Sequence, residues 1–256
     1  MADPSVRRTL AGDSSITLYH SYLSPTSAAM ERAIRHLGLH FVNGPPLRSA
    51  SVSRWGLVAN REPLIAISGI LYFDVVGAYQ AIGTIEPSKT EQSARDQARE
   101  SLLADWTQDT LFWAVMAERW SSTNSRAAYA QVVGASSIPG ALRTVAYPFV
   151  VRGVQAQLRA QGFGRLCQAS RTDYVGQWLA SLEAMLAESR YLMGDTPGVS
   201  DFLLASLCSF ATAGPSPRFA EQLQHCRRLT EHYTELCRQI SAPFTNTLHR
   251  QDLPAA

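Results

Sequence analysis

From Ile16 to His20 the chain reads as a short β-type run. After Ser24 and Pro25 the apolar positions move to helical spacing, Met30, Ala33, Ile34 and Leu37, and stop at Gly38. Strand, loop and helix follow in that order. A second short apolar segment around His40 to Val42 ends in Gly44-Pro45-Pro46, a strong loop signal, and a polar region with Trp55 comes next. Pro63 then opens Leu64-Ile65-Ala66-Ile67, Ser68-Gly69 makes a turn, and Ile70-Leu71-Tyr72-Phe73 is the natural hairpin partner. A further helix is predicted from near Asp74, with Val75, Val76, Tyr79 and Ile82 on one face.

This order, β-α-β-(α)-β-β-α, is that of thioredoxin, and behind a linker at Gly83 to Thr90 the pattern turns helical. From Glu91 to Trp120 one apolar stripe runs through Leu102, Leu103, Trp106, Leu111, Trp113, Met116 and Trp120. Further helices are predicted over Ala141 to Ala160, Arg171 to Ser189, Ser200 to Ala211 and Phe219 to Ile240. The predicted organisation is a disordered leader over 1–15, an α/β domain over 16–85 and an all-helical domain over 91–245.

Composition narrows the function classes. The chain has 256 residues, 46% of them hydrophobic, with a net charge of +2, enough to bury a large core and with no need of a polyanionic partner. Lys89 is the only lysine; the arginines are interspersed with acids, so no nucleic-acid footprint is expected. The arginine and alanine bias suggests a bacterial origin. The most apolar stretch, Ile138 to Val154, is broken by Pro139, Gly140, Arg143, Pro148 and Arg152, short of the roughly 18 uninterrupted residues of a spanning helix. No membrane association and a cytoplasmic location are therefore expected. Cys167, Cys208, Cys226 and Cys237 have no metal-ligand spacing and read as buried free thiols in a reducing compartment.

Four segments together resemble the glutathione S-transferase family, and within it the metaxin-like and failed-axon-connections-like branch. Ser24-Pro25-Thr26-Ser27 stands at the strand-to-helix turn where the family has its catalytic serine or cysteine, and Glu62-Pro63 precedes a strand where the family has a cis-proline. Phe73-Asp74 opens the helix where the family has an acid followed by serine. Gly194-Asp195-Thr196-Pro197-Gly198-Val199-Ser200-Asp201 is similar to the buried capping segment of the helical domain. Trp113 to Trp120 and Gln161-Gly162-Phe163-Gly164-Arg165 are similar to segments of the branch. The resemblance implies a thioredoxin-like domain with a mixed four-stranded sheet, followed by an all-α domain.

Ser24 is a good N-cap and Pro25 suits the first helical position, so backbone N–H groups and the positive helix end point toward Ser24 and Thr26. By the resemblance, Ser24 donates to the thiol of glutathione and lowers its pKa, with Tyr22 and Ser27 as further candidates; otherwise Ser24 only caps the helix. Glu62 and Pro63 would pair with the peptide backbone of glutathione, and Asp74 and Val75 would hold its γ-glutamyl end. Three departures stand out. Val75 has no hydroxyl for the glutamyl carboxylate, no cysteine occurs in the first domain, and Gly198 replaces the usual capping serine or threonine. Without a protein thiol, disulfide-exchange chemistry is not expected.

The acceptor pocket implied by the resemblance draws on Tyr22, Phe112, Trp113, Met116, Arg119 and Trp120, although aromatics at helical spacing are commonly core. Arg119 is either paired with Glu118 or Asp109 or open to a substrate carboxylate. His20, at the end of the first strand, is either an acid–base group or structural. Two functions follow as expectations. One is an enzyme that uses glutathione with a small hydrophobic electrophile, in conjugation, isomerisation or thioether cleavage. The other is a protein of this fold that has lost glutathione and acts as a binding or scaffold protein, or as a cofactor-free enzyme in the cleft. A homodimer is plausible on the resemblance.

Overall fold

A computed structural model describes residues 16–19, 24–44, 64–85, 93–134 and 140–239. The leader, His20, Tyr22, Trp55, Glu62 and Pro63 lie outside the described residues. Strand β1 (Ile16–Tyr19) is central, parallel to β2 (Phe41–Asn43) and antiparallel to β3 (Leu64–Ile67), which pairs antiparallel with β4 (Ile70–Tyr72). The sheet order is β2-β1-β3-β4, the mixed four-stranded sheet expected. At the β3–β4 hairpin Ser68 and Gly69 both have positive φ, 48° and 78°, the left-handed pair that a two-residue turn needs to match strand twist.

Helix α1 (Pro25–His36) follows β1, and α2 (Val75–Ile85) follows β4. Helix α2 runs through the first residues of the expected linker, because Ile82 is buried on the same face as Val75 and Ala78. The remainder is helical: α3 (Ala94–Trp106), a π turn at Thr107–Leu111, α4 (Phe112–Arg119), α5 (Ser125–Gly134), α6 (Gly140–Ala160), α7 (Gln168–Glu188), α8 (Val199–Thr212), α9 (Pro217–Gln224) and α10 (Arg227–Gln239). Helix α5 was not anticipated; it places Ala128, Tyr129 and Val133 against α4 and α6 around Trp113, Trp120 and Leu158. The single helix expected over Phe219 to Ile240 is two, with a turn at His225 and Cys226.

The core joins both parts of the chain. Leu18, Met30, Ile34, Ile65 and Ile82 from the sheet side share one cluster with Val199, Phe202 and Leu236. Helix α1 packs along α8, and within that contact Arg32, 1% exposed, donates to the Ser206 hydroxyl. Burial pushes the Arg32 pKa down, while Glu31 and Cys237 act against that shift.

Three helix N-termini are capped by glutamates from other helices. Glu100 on α3 accepts the Val199 N–H at the start of α8, at 2.5 Å. Glu118 on α4 accepts from Arg218 and Phe219 at the start of α9, at 2.7 and 3.0 Å. Glu183 on α7 accepts from Arg228 and Leu229 at the start of α10, at 2.9 and 2.8 Å. Each carboxylate satisfies N–H groups that have no acceptor within their own helix and meets the positive end of the helix dipole.

Gly198 is explained by the first of these caps. A Cβ at this position would stand 1.9 Å from Glu100 Oε1, so glycine leaves room for a carboxylate to do what a serine side chain does elsewhere. Gly198→Ser is therefore expected to destabilise by about 1–3 kcal/mol, although serine is the better N-cap in isolation. Urea unfolding measures it, and a stabilised variant would refute the steric account.

Candidate functional site

Ser24 and Asp74 are carried at one edge of the sheet. Strand β1 runs to Tyr19, opposite Leu64, and β4 ends at Tyr72, opposite Ile65, so the helices that follow β1 and β4 start from the same side. Helix α1 begins with Ser24 in extended conformation and Pro25 at the first position. The Ser24 hydroxyl oxygen accepts the Ser27 N–H at 3.2 Å, and its carbonyl accepts the Ala28 N–H. Its own O–H proton is not used by that cap. With Pro25 lacking an N–H, the Thr26 N–H is the first donor of the helix and has no acceptor within it. Ser24 and Thr26 are half-buried, whereas Ser27 is fully buried and its side chain is turned into the protein.

Asp74 is exposed and caps α2, its Oδ1 accepting from Gly77 N–H at 2.5 Å. Gly77 permits that approach, since a Cβ there would lie 2.8 Å from the Asp74 carboxylate. A carboxylate has further lone pairs, so the cap leaves Asp74 able to accept from an ammonium group. Val75 is 1% exposed and packed in the core; toward the site it offers its backbone N–H.

A shallow cleft with a cavity volume of only about 10 Å³ lies beside Pro25 and Thr26, between Thr107, Gln108 and Phe112 on one side and Leu203 and Leu207 of α8 on the other. Of the aromatic candidates on α4, Phe112 lines it. Trp113 and Trp120 are buried against α5 and α6, and Met116 packs between two core clusters. Arg119 is also enclosed. Its Nη2 donates to Gln131 Oε1, its guanidinium sits 4.2 Å from the Phe210 ring centre, and burial pushes its pKa down to about 10. No ion pair to Arg119 is found among the described residues. The Glu118 partner considered above is taken by the start of α9, and Asp109 is exposed in the π turn.

Sequence reasoning missed Thr107 and Gln108 in the cleft. Thr107 is tied back to the Leu103 carbonyl at 2.8 Å, while Gln108 is half-buried and lines the cleft. Both lie in the π turn, which breaks the regular helical repeat between α3 and α4. No composition signal marks it, since one extra residue per turn is a local packing outcome. The cysteines divide by position. Cys208 is fully buried and burial pushes its thiol pKa up, whereas Cys167 is exposed at the start of α7 and its bonds to Ser170 push its pKa down. A buried thiol was expected at both.

A four-stranded mixed sheet followed by a mostly helical remainder agrees with known structures over nearly the whole chain. A glutathione S-transferase from Rhodospirillum rubrum F11 is 17% identical and superposes with a TM-score of 0.57, covering 92% of this chain and 94% of that one. The chain has the glutathione S-transferase fold. Glutathione transferase F7 from Populus trichocarpa is 12% identical with a TM-score of 0.54, covering 90% and 95%. Glutathione S-transferase-I bound with lactoylglutathione is 14% identical with a TM-score of 0.55, covering 89% and 98%. No protein-family profile matches the chain, and no curated protein matches it. These matches are to the transferase fold at large and do not single out the metaxin-like branch.

Proposed function

We propose that this protein binds reduced glutathione at the start of α1 and joins it to a small hydrophobic electrophile that rests over the adjoining shallow cleft. The observation that carries the reading is the Ser24 hydroxyl. It is fixed by accepting the Ser27 N–H, keeps its proton to donate, and stands next to the cleft lined by Thr26 and Phe112. When bound, glutathione supplies the nucleophilic sulfur. Ser24 O–H and the Thr26 N–H hold negative charge at that sulfur, and the positive end of α1 adds to them. Asp74 accepts from the γ-glutamyl ammonium, and the N–H groups of Val75 and Val76 receive the adjoining carboxylate. Glu62 and Pro63, proposed on the resemblance alone, pair with the peptide backbone. The half-buried Phe112 and Gln108, beside the shallow cleft, offer the acceptor an apolar and a polar contact.

Calorimetric titration with reduced glutathione tests the reading. A dissociation constant of about 1 mM or tighter is expected, weakened at least about tenfold in Asp74→Ala. Asp74→Asn, which keeps a cap for the Gly77 N–H but not the charge, should weaken binding likewise, so that the lost cap of α2 is not the cause. Absence of heat at several times that concentration would overturn the proposal. It would leave the second reading, a protein of this fold without glutathione, which the buried, hydroxyl-free Val75 favours.

A further inference from the structure

Helix α6 differs from the other described helices in what it shows to solvent. Its inner side, with Tyr147, Val150, Val151, Val154 and Leu158, packs into the cluster around Trp113 and Trp120. Its outer side presents Leu142, Val145 and Phe149 at 56%, 61% and 73% exposure, three and four residues apart and therefore in one row. Exposed Arg152, Ala156 and Arg159 continue the row to the helix end. The row lies within residues 119–172, a stretch with seven arginines and no aspartate or glutamate. With those seven set aside, the remaining 16 basic residues are outnumbered by 21 acidic ones. Of the seven, Arg119 is buried, but Arg143, Arg152 and Arg159 are exposed on α6 itself, which carries no acidic side chain.

We propose that the outer face of α6 docks on an anionic lipid bilayer. Leu142, Val145 and Phe149 enter the boundary between headgroups and acyl chains, and Arg152 and Arg159 lie against lipid phosphates. The ridge is convex and one helix wide. A bilayer surface yields to such a shape along its whole length, whereas a stable protein partner needs about 800 Å² on each side, far more than three side chains in a row supply. Guanidinium groups suit phosphodiesters, and no acidic side chain within the stretch opposes them. The contact is peripheral, because no helix among the described residues is long and apolar enough to cross a membrane.

Co-sedimentation of the full chain with vesicles tests this, using phosphatidylcholine alone and phosphatidylcholine mixed with phosphatidylglycerol. The protein is expected on the mixed vesicles at low salt, less so as salt rises, and not on phosphatidylcholine alone. The pair Val145→Asp and Phe149→Asp should lower partitioning at least about tenfold, since it places two negative charges at an interface that attracts cations. Both positions are exposed, so the variant should melt as the wild type does. Arg152→Gln with Arg159→Gln should weaken binding and flatten its salt dependence. Equal partitioning of the aspartate variant, or none by the wild type at low salt, would overturn the proposal. So would a dimer in sedimentation equilibrium that Phe149→Asp disperses, or saturable binding of polyglutamate without vesicle binding, which would assign the face to an acidic protein.

Discussion

Ser24→Ala is expected to lower kcat/KM for conjugation of glutathione by about 10²- to 10³-fold at neutral pH, the usual consequence of removing one positioned donor to a developing or resident negative charge. A donor to the thiolate stabilises the charged form and so lowers the thiol pKa; removing it raises that pKa. The deficit should therefore be largest at low pH and shrink as pH rises through the range of an ordinary thiol, about 8.5. Alanine also deletes the cap on the Ser27 N–H, which costs about 1 kcal/mol of helix stability. Ser24→Asp separates the two roles, because it can accept the Ser27 N–H but has no proton to donate. Wild-type thermal stability with abolished conjugation is expected. A pH-independent deficit in Ser24→Ala, or full activity in Ser24→Asp, would reduce Ser24 to a helix cap.

Asp201→Ala is expected to cost about 3–5 kcal/mol, because it leaves several buried donors without an acceptor, at about 1–3 kcal/mol each. Asp201 is 0% exposed, and its carboxylate accepts from Leu192 N–H at 2.8 Å and Gly198 N–H at 2.9 Å and meets His232 Nε2 at 2.7 Å. Alanine would leave two backbone donors and a buried imidazole without their acceptor, at a site where water does not reach. Since a domain holds only about 5–15 kcal/mol in total, urea unfolding should show a large fall in midpoint, with loss of folded protein at physiological temperature as the extreme. Alongside it, Glu100→Ala removes the acceptor of the Val199 N–H at the same helix start and should cost less, about 1–3 kcal/mol. A cost for Asp201→Ala below that of Glu100→Ala would contradict the network as described.

Much of the fold was legible because its signals are local. The Ser24-Pro25 cap, the Ser68-Gly69 turn and Asp74 at the start of α2 are each set by residues within a few positions, and all three stand as read. The long apolar stripe from Glu91 to Trp120 was also read as helix, yet the period alone cannot say what covers each part of the stripe. Phe112 faces the cleft while neighbouring Trp113 faces α5 and α6, and the π turn just before them decides which way each points. Arg119 looked open to a ligand or an acid, and its surroundings come from Gln131 and Phe210, distant in sequence.

By itself, then, the sequence determined the order of strands and helices, the four-stranded sheet by resemblance, and Ser24 and Asp74 as residues at helix starts, since capping and turn chemistry act over one to four residues. Only the tertiary structure decided that helix starts in the second half are capped by Glu100, Glu118 and Glu183 from other helices. It also decided that Gly198 is needed for space and that α6 keeps an apolar row in solvent. Those outcomes depend on which surfaces meet across a hundred residues of chain, and a local pattern of polar and apolar residues carries no information about that meeting.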